Sequence, residues 1–229
     1  MTQKRMFFAA GTVAVLAAAG IGYLAGSTTS PSEQSAPPAA VSPSAEPTSG
    51  TTDQSAYQAV FDRDDLTWKL HSGIVEIPFS RAHGPRVTEG GWSRGFARTP
   101  QGAVLAAIHI IFQTGGGTGV PRAAQEAALA EQVVGAEADH YRERSLASAG
   151  PAEGVGRIVL EGYRIISYTE HAAKVEFTTA AVKEQVERAG TTVVVVWQDG
   201  DWRMVAPSLE TLEGFRVLDS LDGFIEFPR

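Results

Sequence analysis

An apolar run from Met6 to Gly26, entered through Lys4 and Arg5, constrains this chain more than any other feature. No charge interrupts it, and as a helix rising 1.5 Å per residue it reaches roughly 30 Å, the thickness of a hydrocarbon core. No Lys or Arg follows until Arg63. The positive-inside rule therefore leaves residues 1–5 as a cytoplasmic tip, makes 6–26 a transmembrane helix, and puts everything after Ser27 outside. The expected location is the cell membrane, single-pass. A cleaved secretion signal is the competing reading, because Ala25-Gly26-Ser27 offers small residues at suitable spacing. Gly22 and Gly26 would let two such helices approach closely, although Gly is common in spans without that role.

Residues 27–55 are mostly Ser, Thr, Pro, Ala and Gly, with Glu33, Glu46 and Asp53 the only charges and Val41 the one bulky apolar residue. Such a segment buries too little surface to offset its ordering entropy, and its prolines favour extended geometry. It reads as a disordered spacer, or as a glycosylated stalk. The chain has no cysteine, which excludes disulfides and thiolate metal sites and leaves Ser27 where lipid attachment would require Cys. The extracytoplasmic domain, 56–229, must rely on its core, which roughly 150 residues can supply. A net charge of -7 argues against direct nucleic-acid binding.

Within the domain, Trp68 to Phe79 reads as one strand, and residues 80–98, rich in Gly and Arg, as a long loop. Thr99 as N-cap and Pro100 at the first helical position open a helix whose stretch Ala103–Phe112 is nearly all apolar, hence buried on most of its surface. The glycines of 115–119 end it. A second helix runs from Arg122 to Val134, and Glu137–Ala147 makes a third. Strands then follow over 158–168 with a bulge at Gly162, over 174–182, over 191–197, and over 202–205 beyond an Asp199-Gly200 hairpin turn. Helices followed by consecutive antiparallel strands argue for an α+β domain with helices packed on one curved antiparallel sheet.

Two resemblances rest on particular residues. The strand Thr191–Trp197 with Asp199-Gly200-Asp201-Trp202-Arg203-Met204-Val205 resembles the end of a nuclear transport factor 2-like domain, a cone of helices cupped by a bent sheet. The stretch Gly95–Ala107, preceded by His83-Gly84-Pro85, is similar to membrane-anchored proteins of actinobacterial conjugative and integrative elements. Together they imply a part like the inner-membrane scaffold subunits of type IV secretion systems. The partners would then be other membrane or secretion-complex proteins, or further copies of this chain. The N-terminal strand and the last segment, Glu210–Arg229, lie outside the simplest form of that fold.

Candidate chemistry is sparse. Gly91-Trp92-Ser93-Arg94-Gly95 matches a nucleophile elbow, but no buried strand precedes it and no helix follows directly. Gly115–Gly119 lacks the Gly-Lys-Ser/Thr ending of a phosphate loop and reads as a helix connector. Asp62, Asp64 and Asp65 lack the glycine and distal Glu of a calcium loop. The five histidines, at 71, 83, 109, 140 and 171, show no metal-site spacing. His109, on the most apolar helix, is either a core histidine satisfied by one partner or a general base inside the cone, with Asp139 or His140 beside it. No catalytic residue, metal or cofactor is assigned. Arg81, Arg86, Arg94 and Arg98 cluster with Trp92 and Phe96, the residue types that dominate interfaces, unless the aromatics tuck under the loop. The resulting expectation is a non-enzymatic, membrane-tethered assembly or scaffold component, with the resemblance implying a conjugative DNA-transfer apparatus; the alternative is a small-ligand binder or enzyme using the cone cavity. If the anchor is retained, mass spectrometry of the membrane fraction will recover peptides from the first residues; a mature N-terminus at Thr28 would refute it.

Overall fold

The computed structural model describes residues 59–150, 156–182, 186–208 and 215–229. The cytoplasmic tip, the 6–26 span and the 27–55 linker lie outside the described residues, within which no helix is long and apolar enough to cross a membrane. The described part is an α+β structure in which three helices pack on a curled, half-barrel sheet.

Where one strand was expected over 68–79, the chain forms a hairpin of β1 (Leu66–His71) and β2 (Val75–Ser80). Ser72 and Gly73 take φ of 50° and 75° in the three-residue connection 72–74, where Ile74 N donates to His71 O at 3.1 Å. After the loop, α1 spans Pro100–Thr114 with Thr99 as its cap, the hydroxyl accepting from Gly102 N at 3.1 Å. α2 (Arg122–Gln132) stops short of the expected end, because Val133 and Val134 form a short strand, β3. α3 covers Ala138–Ala147. The sheet continues with β4 (Arg157–Tyr168), β5 (Ala172–Val182), β6 (Val186–Gln198), β7 (Asp201–Val205), β8 (Phe215–Leu218) and β9 (Ile225–Glu226).

The sheet order is β1-β2-β4-β5-β6-β7-β3, with β8 also on β6 and β9 also on β4. Most neighbours are antiparallel; β2 meets β4, and β3 meets β7, in parallel. The register of β4 against β5 slips between Leu160 and Gly162, the expected bulge, and again between Ile165 and Ser167. Such slips bend a strand and increase local twist, which lets a long sheet curl around a helix. That helix is α1. Ala103 to Ile108, Ile110 and Phe112 are fully buried against β2, β4, β5, β6, β7 and α2.

The C-terminal segment is locked to the outer face by a group that sequence reading missed. Glu176, on β5, is 2% exposed and pairs with Arg164 at 2.7 Å and Arg216 at 2.6 Å. Phe224 lies under both guanidinium groups, at 4.7 and 5.9 Å. A carboxylate buried this deeply needs such compensation, and deleting one partner of a buried pair typically costs about 3–5 kcal/mol. Gly190 makes room for it, since a Cβ there would meet Glu176 Oε1 at 2.6 Å.

The Asp199-Gly200 turn forms as expected, with φ of 53° and 82° and the pairs Gln198↔Asp201 and Trp197↔Trp202. The two indoles meet edge-on at 5.3 Å. No atom lies within 4 Å of a Cβ built at Gly200, so a side chain there meets only backbone strain. Gly200→Val is expected to destabilise the domain by roughly 1–3 kcal/mol. Denaturant midpoints of the two proteins measure this, and an unchanged midpoint would contradict it.

Candidate functional site

The 81–98 loop is long and without regular periodicity, yet it is fixed at every stage. At its entry Ser80 and Gly84 exchange backbone hydrogen bonds of 2.9 Å, and Ser80 Oγ donates to Asp65, whose other oxygen accepts from Ala82 N at 3.1 Å. Gly84 has φ of 96°, and a Cβ there would strike Gly95 O at 2.8 Å, so two passes of the loop touch at this residue. Further along, Arg86 N and Val87 N both donate to Arg94 O, and Arg94 N returns a bond to Val87 O. The exit is held by β7. The Asp201 carboxylate accepts from Gly95 N at 2.6 Å, Phe96 N at 3.1 Å and its own neighbour Trp202 N at 2.9 Å, while Trp202 Nε1 donates to Ala97 O at 2.9 Å. Burial pushes the Asp201 carboxyl above its usual range, against the pull of those three N–H donors.

Beneath the arch, Ser93 is buried and faces α1. Gln113 Oε1 accepts from Ser93 N at 3.0 Å, Gln113 Nε2 donates to Ser93 Oγ at 2.8 Å, and Gln132 Nε2 donates to Ser93 O at 2.6 Å. Ser93 Oγ lies 2.9 Å from His109 Nδ1, and His109 Nε2 lies 2.8 Å from Pro78 O. A carbonyl can only accept, so Nε2 carries the ring proton and Nδ1 accepts from the serine. The bonds run in one direction, from Gln113 through Ser93 and His109 to Pro78. Phe79 and Phe96 close the imidazole edge-on at 4.8 and 5.5 Å. Complete desolvation lowers the His109 pKa to about 4, only partly opposed by the Pro78 carbonyl.

The Gly91–Gly95 motif thus does bring its serine to a histidine, a contact that the local sequence did not reveal. Ser93 is 1% exposed and His109 wholly buried, so no substrate reaches either atom. The group is a polar tie between loop and helix. The general-base arrangement with Asp139 does not form: Asp139 is 99% exposed and bound to Arg142 at 2.7 Å. Asp62 caps a short turn through Asp64 N at 2.9 Å, and among the described residues no three His, Asp or Glu side chains converge on a metal position. Gly115 ends α1 and Gly117 N bonds Ser148 O, so the glycine run joins helices as expected.

The expected interface residues divide three ways. Phe96 is 3% exposed and belongs to the core, a correction to its placement on the surface: it packs against His109. Arg98 is a brace, donating to Glu170 O at 2.7 Å and His171 Nδ1 at 2.8 Å while lying over Trp197 at 5.4 Å. Arg81 is exposed, 3.8 Å from Asp65. Arg86 and Arg94 are exposed and form no ion pair among the described residues, and Arg94 stacks over half-buried Trp92 at 5.1 Å. A separate cleft of about 470 Å³ lies away from His109, floored by Ile111, Val193 and Met204 and flanked by Glu137 and Lys174.

A family described as a domain of unknown function (DUF8175) matches residues 27–226, and the chain belongs to it. No curated protein and no solved structure shows significant similarity to it.

The buried histidine makes acid stability a readout of this site. The folded pKa of about 4 lies below the ordinary 6.5, so between those values the unfolded chain binds the extra proton. The contribution of His109 is complete above pH 6.5 and is lost as pH falls through 4, a change of about 3 kcal/mol. Burial lowers the pKa of His71 and His83 in the same sense. Urea midpoints from pH 7.5 to 4 are expected to fall in the native chain and to fall less in His109→Gln. Equal slopes would show that His109 does not titrate in this range.

Proposed function

We propose that this DUF8175-family chain is a non-enzymatic, membrane-tethered assembly component that holds out the 81–98 loop to a partner outside the cytoplasm. One observation carries the reading: the loop backbone is fixed from below by Ser93 and Asp201, while Arg86, Arg94 and Trp92 remain on its outer side. A surface ordered before binding loses less entropy on association. Arginine and tryptophan are the residue types from which interface hot spots are built. The span at 6–26 would hold the protein in the membrane and 27–55 would give the domain its reach.

The finer fold reading is a nuclear transport factor 2-like cone. Its support is the position of α1 in the hollow of the bent sheet, together with the Asp199-Gly200 hairpin on which the resemblance rests; β8 and β9 follow that hairpin and add to the same sheet. A role in a conjugative, type IV secretion-like apparatus follows from the likeness of residues 95–107 and from the layout of short tip, single span and outer domain. A small-ligand binder is the second reading, favoured by the cleft between Lys174 and Glu137 rather than by the filled interior around His109.

Partner capture from membranes with the intact protein tests the first reading. Arg86→Ala with Arg94→Ala is expected to lower recovery of specific partners about tenfold, with no change in unfolding midpoint. Undiminished capture by the double variant would remove the loop from the interface.

A further inference from the structure

The loop concentrates charge of one sign in a chain of the other. Residues 81–98 hold four arginines against the single carboxylate of Glu89, while the whole chain carries -7. Two of those arginines, Arg86 and Arg94, have no ion pair among the described residues, and backbone bonds between them keep them side by side. A milder excess of the opposite sign occurs on α2, α3 and the turn joining them, five carboxylates against Arg122, Arg142 and Arg144. Glu131, Glu137 and Glu143 form no ion pair among the described residues, and Asp139, although bonded to Arg142, is 99% exposed. The loop arginines and these carboxylates do not pair within one chain, so both sets are available between chains.

We propose that the 81–98 loop of one copy docks on the α2–α3 face of a second copy, with Arg86 and Arg94 meeting Glu131 and Glu143 around a Trp92 contact. This rests on the reading of the loop as a binding surface and names its occupant. Copies carrying -7 repel one another in most orientations, and loop against acidic face is an approach in which the fields attract, which selects register as well as affinity. Every copy carries one loop and one face, side by side because Gly91 packs on Ala124 of α2, so a twofold pair engages both contacts at once and closes as a dimer. Confinement to a membrane supplies the effective concentration that a small polar contact needs.

Charge exchange on the full-length chain in detergent micelles tests this. Sedimentation is expected to show a dimer that fills with concentration at low salt and recedes as salt screens the contact. Arg86→Glu with Arg94→Glu, and separately Glu131→Arg with Glu143→Arg, should each weaken self-association by about tenfold. An equimolar mixture of the two variants should restore it, because the native face of one meets the native loop of the other while the new acidic loop fits the new basic face. Unchanged unfolding midpoints establish that both variants fold. A wild-type chain that stays monomeric, variants that associate like wild type, or a mixture that fails to recover would each overturn the proposal. Arginine-dependent capture of a different membrane protein alongside any of those results would leave the loop a binding surface and refute only its occupant.

Discussion

α1 is apolar on every side and therefore has to be covered on every side. Leu105, Ile108, Ile110 and Phe112 leave no polar stripe to face water, so the helix cannot lie at the edge of a two-layer structure. The sheet curls because it has a cylinder to enclose, and its bulges at Gly162 and after Ile165 are the places where β4 takes that bend. α2 covers one flank. What remains is closed by the 81–98 loop, which places Phe96 in the core and Ser93 over the single polar side chain in the middle of the helix. The histidine at 109 then has both ring nitrogens satisfied, which is the condition for burying it at all.

Asp201 links this enclosure to the sheet. The same short strand that closes the Asp199-Gly200 hairpin sends one carboxylate to two consecutive loop amides, and its neighbouring indole caps Ala97 O. Hairpin register and loop shape are therefore one property: a slip of β7 by one residue would turn Asp201 to the other face and release the loop. The outward arginines inherit their positions from that register.

Features encoded in a few adjacent residues were legible in the sequence: the Thr99-Pro100 helix start, the glycine stop, the Gly162 bulge, and the Asp199-Gly200 turn with its tryptophan pair. Each is a local rule of dihedral angles and hydrogen bonds. The Ser72-Gly73 turn escaped because it lies inside an apolar run that already read as continuous strand. Val133 and Val134 continue an α-helical pattern, and only the arrival of β7 makes them a strand. The Ser93–His109 contact joins residues that no local rule connects, and the burial of Phe96 while Trp92 stays half-buried depends on where α1 lies beneath them. Glu176 carried a signal, a charged residue between Val175 and Phe177, but its arginine partners come from β4 and from the distant β8.

The described chain enters and leaves the domain at one place. Tyr163 hydroxyl donates to Ala59 O, and Phe61 packs on Tyr163 at 5.3 Å and on Phe227 at 5.9 Å. Phe227 in turn meets Trp68 edge-on, and Arg229 lies over the same indole. In mechanical terms this cluster is a cleat. Tension arriving through the residues before Ala59 is taken up by an aromatic stack shared with the C-terminal segment, which is itself bolted to β5 through Glu176. Pulling on the leading end therefore loads the trailing end as well, and the first rupture would free both together rather than fray one strand at a time.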